Sequence, residues 1–350
     1  MSASRRPFAA GVTTLLVLAA LGCAKREPPS GGPPDIIPPR ILSSAPDSGA
    51  ARVPPDVLLS ITFTEAMEPR STEESVALAP RTEILKRRWK GRTLSLVLAE
   101  RLRPDHTYTL FVGGTARDRH GNPMGRGATI VFSTRDSFPH GRIAGEIEAR
   151  GLEAQGVAMW CYEAAGGRVP DSTARDFDAL GLAGEQGRFR VDGLDVPGRY
   201  RLWAFADLNN NRSFEPLTDV LAAVDTLIEL TPGRPVIDSL RVRLVNPHAP
   251  GSVRGAVLDS LVDSLGVLRV VAESEKDTTR HVAAVADTDG TFELQLDAGA
   301  WRLRAFRDLD RNETWQPDEE RASDRLLLRI EPAGDIVDLK LRLRRGPGGP

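Results

Sequence analysis

Apolar and polar residues alternate along most of the chain with the period of a β-strand. Every second residue is apolar in 57–63, 93–98 and 107–112, and Gly, Pro, Asp or Asn separates such runs at short spacing. Because successive strand side chains point to opposite faces, the pattern predicts antiparallel sheets that each bury one face, as in a β-sandwich. Only 71–76 and 173–182 have a composition compatible with a helical turn or short helix. We therefore expect an all-β protein built of tandem β-sandwiches.

The amino terminus departs from this pattern. Arg5 and Arg6 precede fifteen uncharged residues, 8–22, which are rich in Leu, Ala and Val. That run is shorter than the about 20 apolar residues of a mature membrane-spanning helix, and it fits the apolar core of a secretory signal peptide. Residues 19–23, which end in Cys23, resemble the lipobox of bacterial lipoproteins. In that family the cysteine thiol receives a diacylglyceryl group, and cleavage occurs just before it.

This resemblance implies a membrane anchor at Cys23. Residues 1–22 would be removed as a lipoprotein signal peptide, and two acyl chains would hold the mature protein on a membrane, since one chain alone binds only marginally. Ala24, in place of Asp, favours the outer membrane by the family's sorting rule. Residues 23–37, rich in Pro and Gly, would form an extended tether. The alternative is an ordinary cleaved signal peptide followed by an incidental cysteine.

Four motifs in residues 38–135 carry a second resemblance. Their order is that of bacterial Ig-like domains of the S-layer type, which implies a seven-stranded Ig-like sandwich. Within them we expect Tyr108 to face the core and Gly121 with Asn122 to form a tight turn, so none of these residues requires a ligand. The motifs are 61–67, 102–108, 118–123 and 132–134.

Two copies of one unit follow, over 138–246 and 250–345. Three segments recur in the same order at offsets of 101, 100 and 99 residues, and Gly145 in the opening strand matches Gly255. A repeat of about 100 residues has the ordinary size of a domain. The strand pattern resembles carboxypeptidase-regulatory-like and transthyretin-like sandwiches, which implies a Greek-key fold without catalytic apparatus. The matched segments are 200–211 with 301–312, 227–233 with 327–333, and 240–244 with 339–343.

Each copy has a loop rich in side-chain oxygens after its Ala-Phe strand. Asp and Asn at alternate positions can turn their oxygens toward one centre, and the pattern resembles calcium loops, including those of serine-aspartate-repeat surface proteins. Both loops lack the position-six glycine of an EF-hand, and only Glu319 matches the acidic residue at position twelve, so these are not EF-hands. The alternative is a metal-free turn that Asp and Asn side chains cap. The candidate Ca²⁺ ligands are Asp207, Asn209, Asn211 and Glu215 in the first loop, and Asp308, Asp310, Asn312 and Glu319 in the second.

Three tryptophans of the repeats raise the question of a sugar-stacking surface. Trp203 and Trp301 lie in predicted strands, so we expect them to pack in the core. Trp315 lies in the second loop and is the better candidate for exposure and ligand binding.

Charge, cysteine and histidine content argue against several function classes. With 46 Lys+Arg and 48 Asp+Glu, the net charge of −2 provides no field that would recruit nucleic acid. Cysteine occurs only as Cys23 and Cys161, and the apolar run around Cys161 predicts a buried small hydrophobe. The five histidines are scattered, and no zinc, nucleophile-elbow or phosphate-loop motif occurs, so we do not expect an enzyme.

The leading hypothesis is therefore a non-catalytic, lipid-anchored protein of the cell envelope, with a structural or adhesive role toward a protein or glycan partner. The alternative is a carbohydrate or cell-wall receptor that binds through Trp315, and an enzyme comes third. Loss of glycan binding in Trp315→Ala would discriminate the alternative from the leading hypothesis.

Overall fold

Strands make up almost all of the regular structure. The computed structural model describes residues 34–170, 176–211, 214–259, 266–316 and 321–344. The predicted signal peptide, the predicted lipidation site Cys23 and most of the predicted tether lie outside these residues. The chain divides into two units, Met1–Ile37 and Pro38–Pro350, and all assigned strands belong to the second. No helix among the described residues is long and apolar enough to span a membrane.

The first sandwich contains seven strands, the number expected from the Ig-like resemblance. They are Ile41–Ala45 (β1), Leu59–Phe63 (β2), Val76–Ala79 (β3), Ile84–Lys90 (β4), Thr93–Leu98 (β5), Thr107–Val112 (β6) and Ala128–Ser133 (β7). One sheet has the order β1-β2-β5-β4 and the other the order β3-β6-β7, and every pairing is antiparallel.

Alternation along these strands places their apolar residues between the two sheets. Leu59 and Ile61 of β2 are fully buried there. Tyr108 of β6 is 2% exposed and stacks on Phe132 of β7, with 5.8 Å between the ring centroids. Its hydroxyl oxygen accepts a hydrogen bond from the Arg103 N–H at 2.7 Å, so the buried polar atom is satisfied. The prediction that Tyr108 faces the core is confirmed.

The two repeats form the second and third sandwiches. Repeat 1 contains Gly141–Arg150 (β8), Ala158–Glu163 (β9), Ala179–Leu182 (β10), Arg188–Leu194 (β11), Gly198–Ala206 (β12), Val220–Ala223 (β13), Ile228–Leu230 (β14) and Val236–Val245 (β15). Repeat 2 contains Gly251–Leu258 (β16), Val267–Ser274 (β17), His281–Val285 (β18), Thr291–Leu296 (β19), Gly299–Asp308 (β20), Leu326–Ile330 (β21) and Asp335–Arg342 (β22).

Corresponding strands of the two repeats occupy corresponding places in their sheets. In repeat 1 the sheets are β11-β8-β15 and β10-β9-β12-β13, and β14 also pairs with β12. In repeat 2 they are β19-β16-β22 and β18-β17-β20-β21. Each pair of sheets encloses its own apolar core. The prediction of an all-β protein with tandem sandwiches is confirmed.

The first and last strands of each repeat run parallel, with a register shift in the first half of the pairing. The shift brings a carbonyl oxygen of the last strand against a glycine of the first. A Cβ atom on Gly145 would lie 2.0 Å from the Leu240 oxygen, and one on Gly255 would lie 2.1 Å from the Leu339 oxygen. Only glycine fits such a close backbone approach, which explains why both copies carry it at this position.

The two segments with helical composition behave differently. The helix α1 spans Pro69–Ser75, and the Glu68 carboxylate caps it by accepting the N–H groups of residues 70 and 71. Of 173–182, the first three residues lie outside the described part, and Ala179–Leu182 is strand β10, so a helix there is wrong. Pairing of β10 with β9 outweighs the local preference, because sheet formation depends on the partner strand.

Candidate functional site

Hydrogen bonds among its own side chains close the first oxygen-rich loop, which follows β12. The amide groups of Asn209 and Asn211 donate to the two carboxylate oxygens of Glu215, at 3.0 and 2.9 Å. The Asp207 carboxylate accepts the Asn211 N–H at 3.1 Å. Buried Asp219, which sequence reasoning missed, accepts the Glu215 N–H at 2.9 Å. All four predicted ligands of this loop therefore lie together, in the arrangement of a capped turn.

The second loop, which follows β20, has the same turn. The Asn312 N–H donates to the carboxylates of both Asp308 and Asp310, each at 3.1 Å. The Asn312 amide also donates to Asp310 at 2.8 Å. The fourth predicted ligand, Glu319, lies outside the described residues, so the structure brings three of the four together.

An arginine from the neighbouring strand pairs with two carboxylates at the second loop. Asp308 is fully buried, and its carboxylate accepts a hydrogen bond from Arg269 Nε of β17 at 2.6 Å. The same guanidinium reaches the Glu313 carboxylate at 3.1 Å. Burial by itself would raise the pKa of Asp308, but the hydrogen bonds from Arg269 and the Glu313 N–H hold that pKa below its ordinary value. The Asp308 carboxylate therefore already has a cationic partner.

The first loop has no cation at the equivalent place. Arg269 stands opposite Phe306 in the β17–β20 pairing, and Ala158 stands opposite Phe205 in the matching β9–β12 pairing. The two phenylalanines are equivalent positions of the repeat, so Ala158 takes the place of Arg269. On sequence, Glu319 favoured the second loop as a cation site, whereas the strand register favours the first. Ca²⁺ binding stays a prediction for both loops.

The tryptophans divide between core and loop. Trp301 is 2% exposed and its indole N–H donates to the Asp297 carbonyl oxygen at 2.8 Å, which confirms its placement in the core. Trp203 is half-buried. Trp315 is also half-buried, and the Arg304 guanidinium carbon lies 3.7 Å from its ring centroid. Arg304 therefore covers one ring face by a cation–π contact, and that face is closed to a sugar.

Two further groups have structural explanations. Cys161 is fully buried, as predicted, and burial raises the pKa of its thiol, which keeps it protonated and unreactive.

The ligand atoms of Glu65, Asp118 and His120 lie within 4.8 Å of one another. Asp118, 1% exposed, accepts hydrogen bonds from the N–H groups of His120 and Asn122, both at 2.8 Å. These bonds hold the tight turn that the motif predicted.

Aromatic residues join the first sandwich to repeat 1. Trp160, Phe177 and Phe205 of repeat 1 form a buried cluster with Ala79 of β3, and Phe111 of β6 packs against it. The Trp160 ring centroid lies 4.4 Å from that of Phe205 and 6.0 Å from that of Phe177. Sequence reasoning missed this cluster. Its signal was the uninterrupted apolar run around Trp160, which is typical of a strand that is buried on both faces.

An ion pair and a cavity complete this junction. Arg135, just after the first sandwich, binds both carboxylate oxygens of Asp195 in repeat 1, through an ion-pair contact at 2.8 Å and a hydrogen bond at 2.9 Å. Such a bidentate pair fixes orientation as well as distance. A cavity of about 590 Å³ lies between the modules and is lined by residues from both.

Comparison with known proteins identifies part of the chain. Residues 35–134 match the family model of the bacterial Ig-like domain. No curated protein matches the chain.

Several solved structures are similar at low identity. The Bacillus anthracis TIE protein is 10% identical over 90% of this chain and 59% of its own length, with a TM-score of 0.25. A candidate cell adhesion protein from Bacteroides ovatus is 9% identical over 59% of this chain and 96% of its own, with a TM-score of 0.34. The minor pilin GBS52 of Streptococcus agalactiae is 12% identical over 60% and 99%, with a TM-score of 0.23. This chain thus spans 59% of the length of TIE.

TM-scores this low do not establish a shared fold, so identity rests on the sequence match and on the sheets themselves. The matched range covers β1 to β7 with both of their sheets. The first sandwich is therefore a bacterial Ig-like domain.

Proposed function

We propose that the protein is a non-catalytic, lipid-anchored component of the cell envelope with a structural or adhesive role. The observation that carries this proposal is the junction between the Ig-like domain and repeat 1, where an apolar cluster and a bidentate ion pair join two modules. Domains move freely against each other when their interface is small and polar, and an apolar interface restricts that motion. Modules held in one mutual orientation suit a protein that presents loops and strand edges to a partner.

The Ig-like match supports the same reading. Ig-like sandwiches are common in cell-surface proteins, where the scaffold is structural and the loops or edges bind. The anchoring part of the proposal rests on the sequence that ends at Cys23. Two acyl chains there would bind a membrane stably, because each buried CH₂ contributes about 0.8 kcal/mol.

Acyl labelling tests the anchor. In growing cells, the native chain should incorporate a fatty-acid analogue and appear in the membrane fraction, and globomycin should leave its leader attached. The Cys23→Ala chain is the matched control and should carry no label. An unlabelled native chain found free of its leader in the soluble fraction would contradict the anchor.

Binding of whole cells tests the role. Cells that display the native chain should adhere to an immobilised envelope protein or glycan. Cells that produce the Cys23→Ala chain should not adhere, because the protein is no longer held at their membrane. The Trp315→Ala chain should adhere like the native one, since Arg304 already covers one face of that ring. Loss of glycan binding in Trp315→Ala alone would favour the carbohydrate-receptor alternative over the adhesive role.

A further inference from the structure

Charge is segregated on the four-stranded sheet of the Ig-like domain. Its strands β1, β2, β5 and β4 contain no Asp or Glu. The edge strand β4 carries four basic residues, all exposed: Lys86, Arg87, Arg88 and Lys90. None of the four forms an ion pair within the part of the chain that the structure describes. In a chain of net charge −2, this sheet is a locally cationic surface.

Strand register places three of these cations on the outer face of the sheet. Lys86, Arg88 and Lys90 stand opposite residues 97, 95 and 93 of β5, and directly opposed residues share a face. The alternate positions of β5, Leu94 and Leu96, point into the core and are fully buried. The three cations therefore form a row along one edge, at a spacing of about 7 Å set by every second residue of a strand.

Hydroxyl groups cover the face beside this row. The register of β2 against β5 aligns Ser60 with Ser95 and Thr62 with Thr93. The hydroxyl oxygens of Thr62 and Thr93 lie 2.9 Å apart. Hydroxyl groups donate to phosphate oxygens, and Lys and Arg attract the phosphate charge. We call this surface, formed by the outer residues of β2, β5 and β4, the hydroxyl–cation face.

We propose that the hydroxyl–cation face docks on anionic phospholipid headgroups of the membrane that holds the protein. This inference rests on the proposed acyl anchor. Strand β1, which lies beside β2 in the same sheet, begins 18 residues after Cys23, so an extended tether of about 3.1 Å per residue would keep the start of this sheet within roughly 60 Å of the lipid. An acyl anchor and a basic patch act together in membrane attachment, and each basic residue near an anionic surface strengthens binding about fivefold.

Lysine labelling provides a direct test, because the chain has only five lysines: Lys25, Lys86, Lys90, Lys276 and Lys340. The acylated chain is reconstituted on vesicles that contain phosphatidylglycerol and, in parallel, on vesicles of phosphatidylcholine alone. Labelling by an amine-reactive reagent is then followed at each lysine by mass spectrometry. We expect Lys86 and Lys90 to react about fivefold more slowly on the anionic vesicles, while the exposed Lys276 and Lys340 react equally on both. Molar salt should remove the protection, since it shortens the Debye length to about 3 Å.

Matched variants assign the protection to this face. Arg87→Gln with Arg88→Gln removes one cation of the row and one further exposed cation of β4, keeps both reporter lysines and should reduce their protection. Arg199→Gln with Arg201→Gln removes two exposed arginines from β12 and should leave the protection unchanged. Equal labelling of Lys86 and Lys90 on both vesicle types, with the protein still floating with them, would overturn the docking inference and leave the anchor intact. Protection that appears without vesicles and rises with protein concentration would also overturn it, because edge-to-edge pairing of β4 would then be its cause.

Flotation of the vesicles separates this inference from the proposed function. If the protein floats with the anionic vesicles but not with the phosphatidylcholine vesicles, the result would support docking by the hydroxyl–cation face and contradict the anchor. Failure to float with either type would contradict both.

Discussion

At the scale of single residues, a buried carboxylate stays charged only where a partner replaces its lost hydration. Asp308 is fully buried, and the Arg269 side chain that reaches it is 14% exposed. Sequence reasoning found Asp308 as a candidate ligand and did not find Arg269. The arginine comes from a different strand, 39 residues earlier in the chain, and nothing in its local sequence marks it as a partner.

Replacement of Arg269 should strongly destabilise repeat 2. Arg269→Met keeps most of the side-chain volume but leaves Asp308 buried without its cation, which costs about 3–5 kcal/mol. Chemical denaturation, followed by the fluorescence of buried Trp301, measures the loss. Arg302→Met, which breaks a more exposed ion pair with Glu275, is the control and should cost about 1 kcal/mol or less. Equal losses in the two variants would contradict this account of the Arg269–Asp308 pair.

Acid should weaken the Ig-like domain through Asp118. Burial alone would raise the pKa of its carboxyl, but hydrogen bonds from the Asn122 side chain and from nearby N–H groups hold that pKa below its ordinary value. The carboxylate's contribution is therefore complete above the unfolded pKa of about 3.9 and is lost as the pH falls through the lowered folded pKa. Thermal unfolding between neutral pH and pH 3 should show a smaller loss for Asp118→Asn than for the native chain. The exposed Asp225→Asn is the control and should follow the native curve.

At the scale of elements, the two oxygen-rich loops share a turn and differ in what stands beside it. The turn follows from the Asp-x-Asn or Asp-x-Asp spacing, whose side chains accept N–H groups of the same loop. The neighbouring strand supplies Arg269 to the second loop and Ala158 to the first. A cation is therefore expected to bind the loop to which the neighbouring strand supplies no guanidinium.

Calcium should bind the first loop in preference to the second. In calorimetric titration of the full chain, Asp207→Asn should abolish the heat of binding, and Asp308→Asn should leave it unchanged. The bound ion should also raise the unfolding free energy, by about 2.7 kcal/mol at a hundredfold excess over Kd. The prediction of a cation in the first loop is wrong if the native chain gives no heat of Ca²⁺ binding. It is also wrong if Asp308→Asn abolishes that heat and Asp207→Asn does not.

Arg269→Met offers an independent check of the same idea. If the guanidinium stands where a cation would otherwise sit, its removal should give the second loop a new affinity for Ca²⁺ and restore part of the lost stability. The absence of any Ca²⁺ effect on Arg269→Met would show that the second loop lacks the ligands for a cation.

At the scale of the whole molecule, the junction should couple the unfolding of the Ig-like domain and repeat 1. Phe177→Ala removes a buried ring from the shared cluster, at a cost of about 3–5 kcal/mol, and should split their common calorimetric transition into two. Phe292→Ala in the core of repeat 2 removes a ring that is equally buried, at 5% exposure, and should leave the coupling intact. Two separate transitions already present in the native chain would contradict the coupling.

The sequence by itself determined the β-strand periodicity of most of the chain, the buried faces of those strands and the duplication of the repeat. These features are encoded locally: alternation assigns each residue to a face, and both repeats carry a glycine, Gly145 or Gly255, where a Cβ atom would lie about 2 Å from a backbone carbonyl oxygen. The sequence also carries the predicted leader and the proposed lipidation site Cys23, which as linear motifs would need no tertiary contact.

Only the tertiary structure decided which strands meet. It placed Arg269 beside Asp308, brought the apolar run of β9 against the Ig-like domain, and joined three other strands without a carboxylate to the cationic strand β4. The Ala179–Leu182 segment became a strand for the same reason. Strand pairing joins residues that are far apart in the chain, so periodicity fixes the face that a side chain occupies and leaves its neighbour across the sheet undetermined.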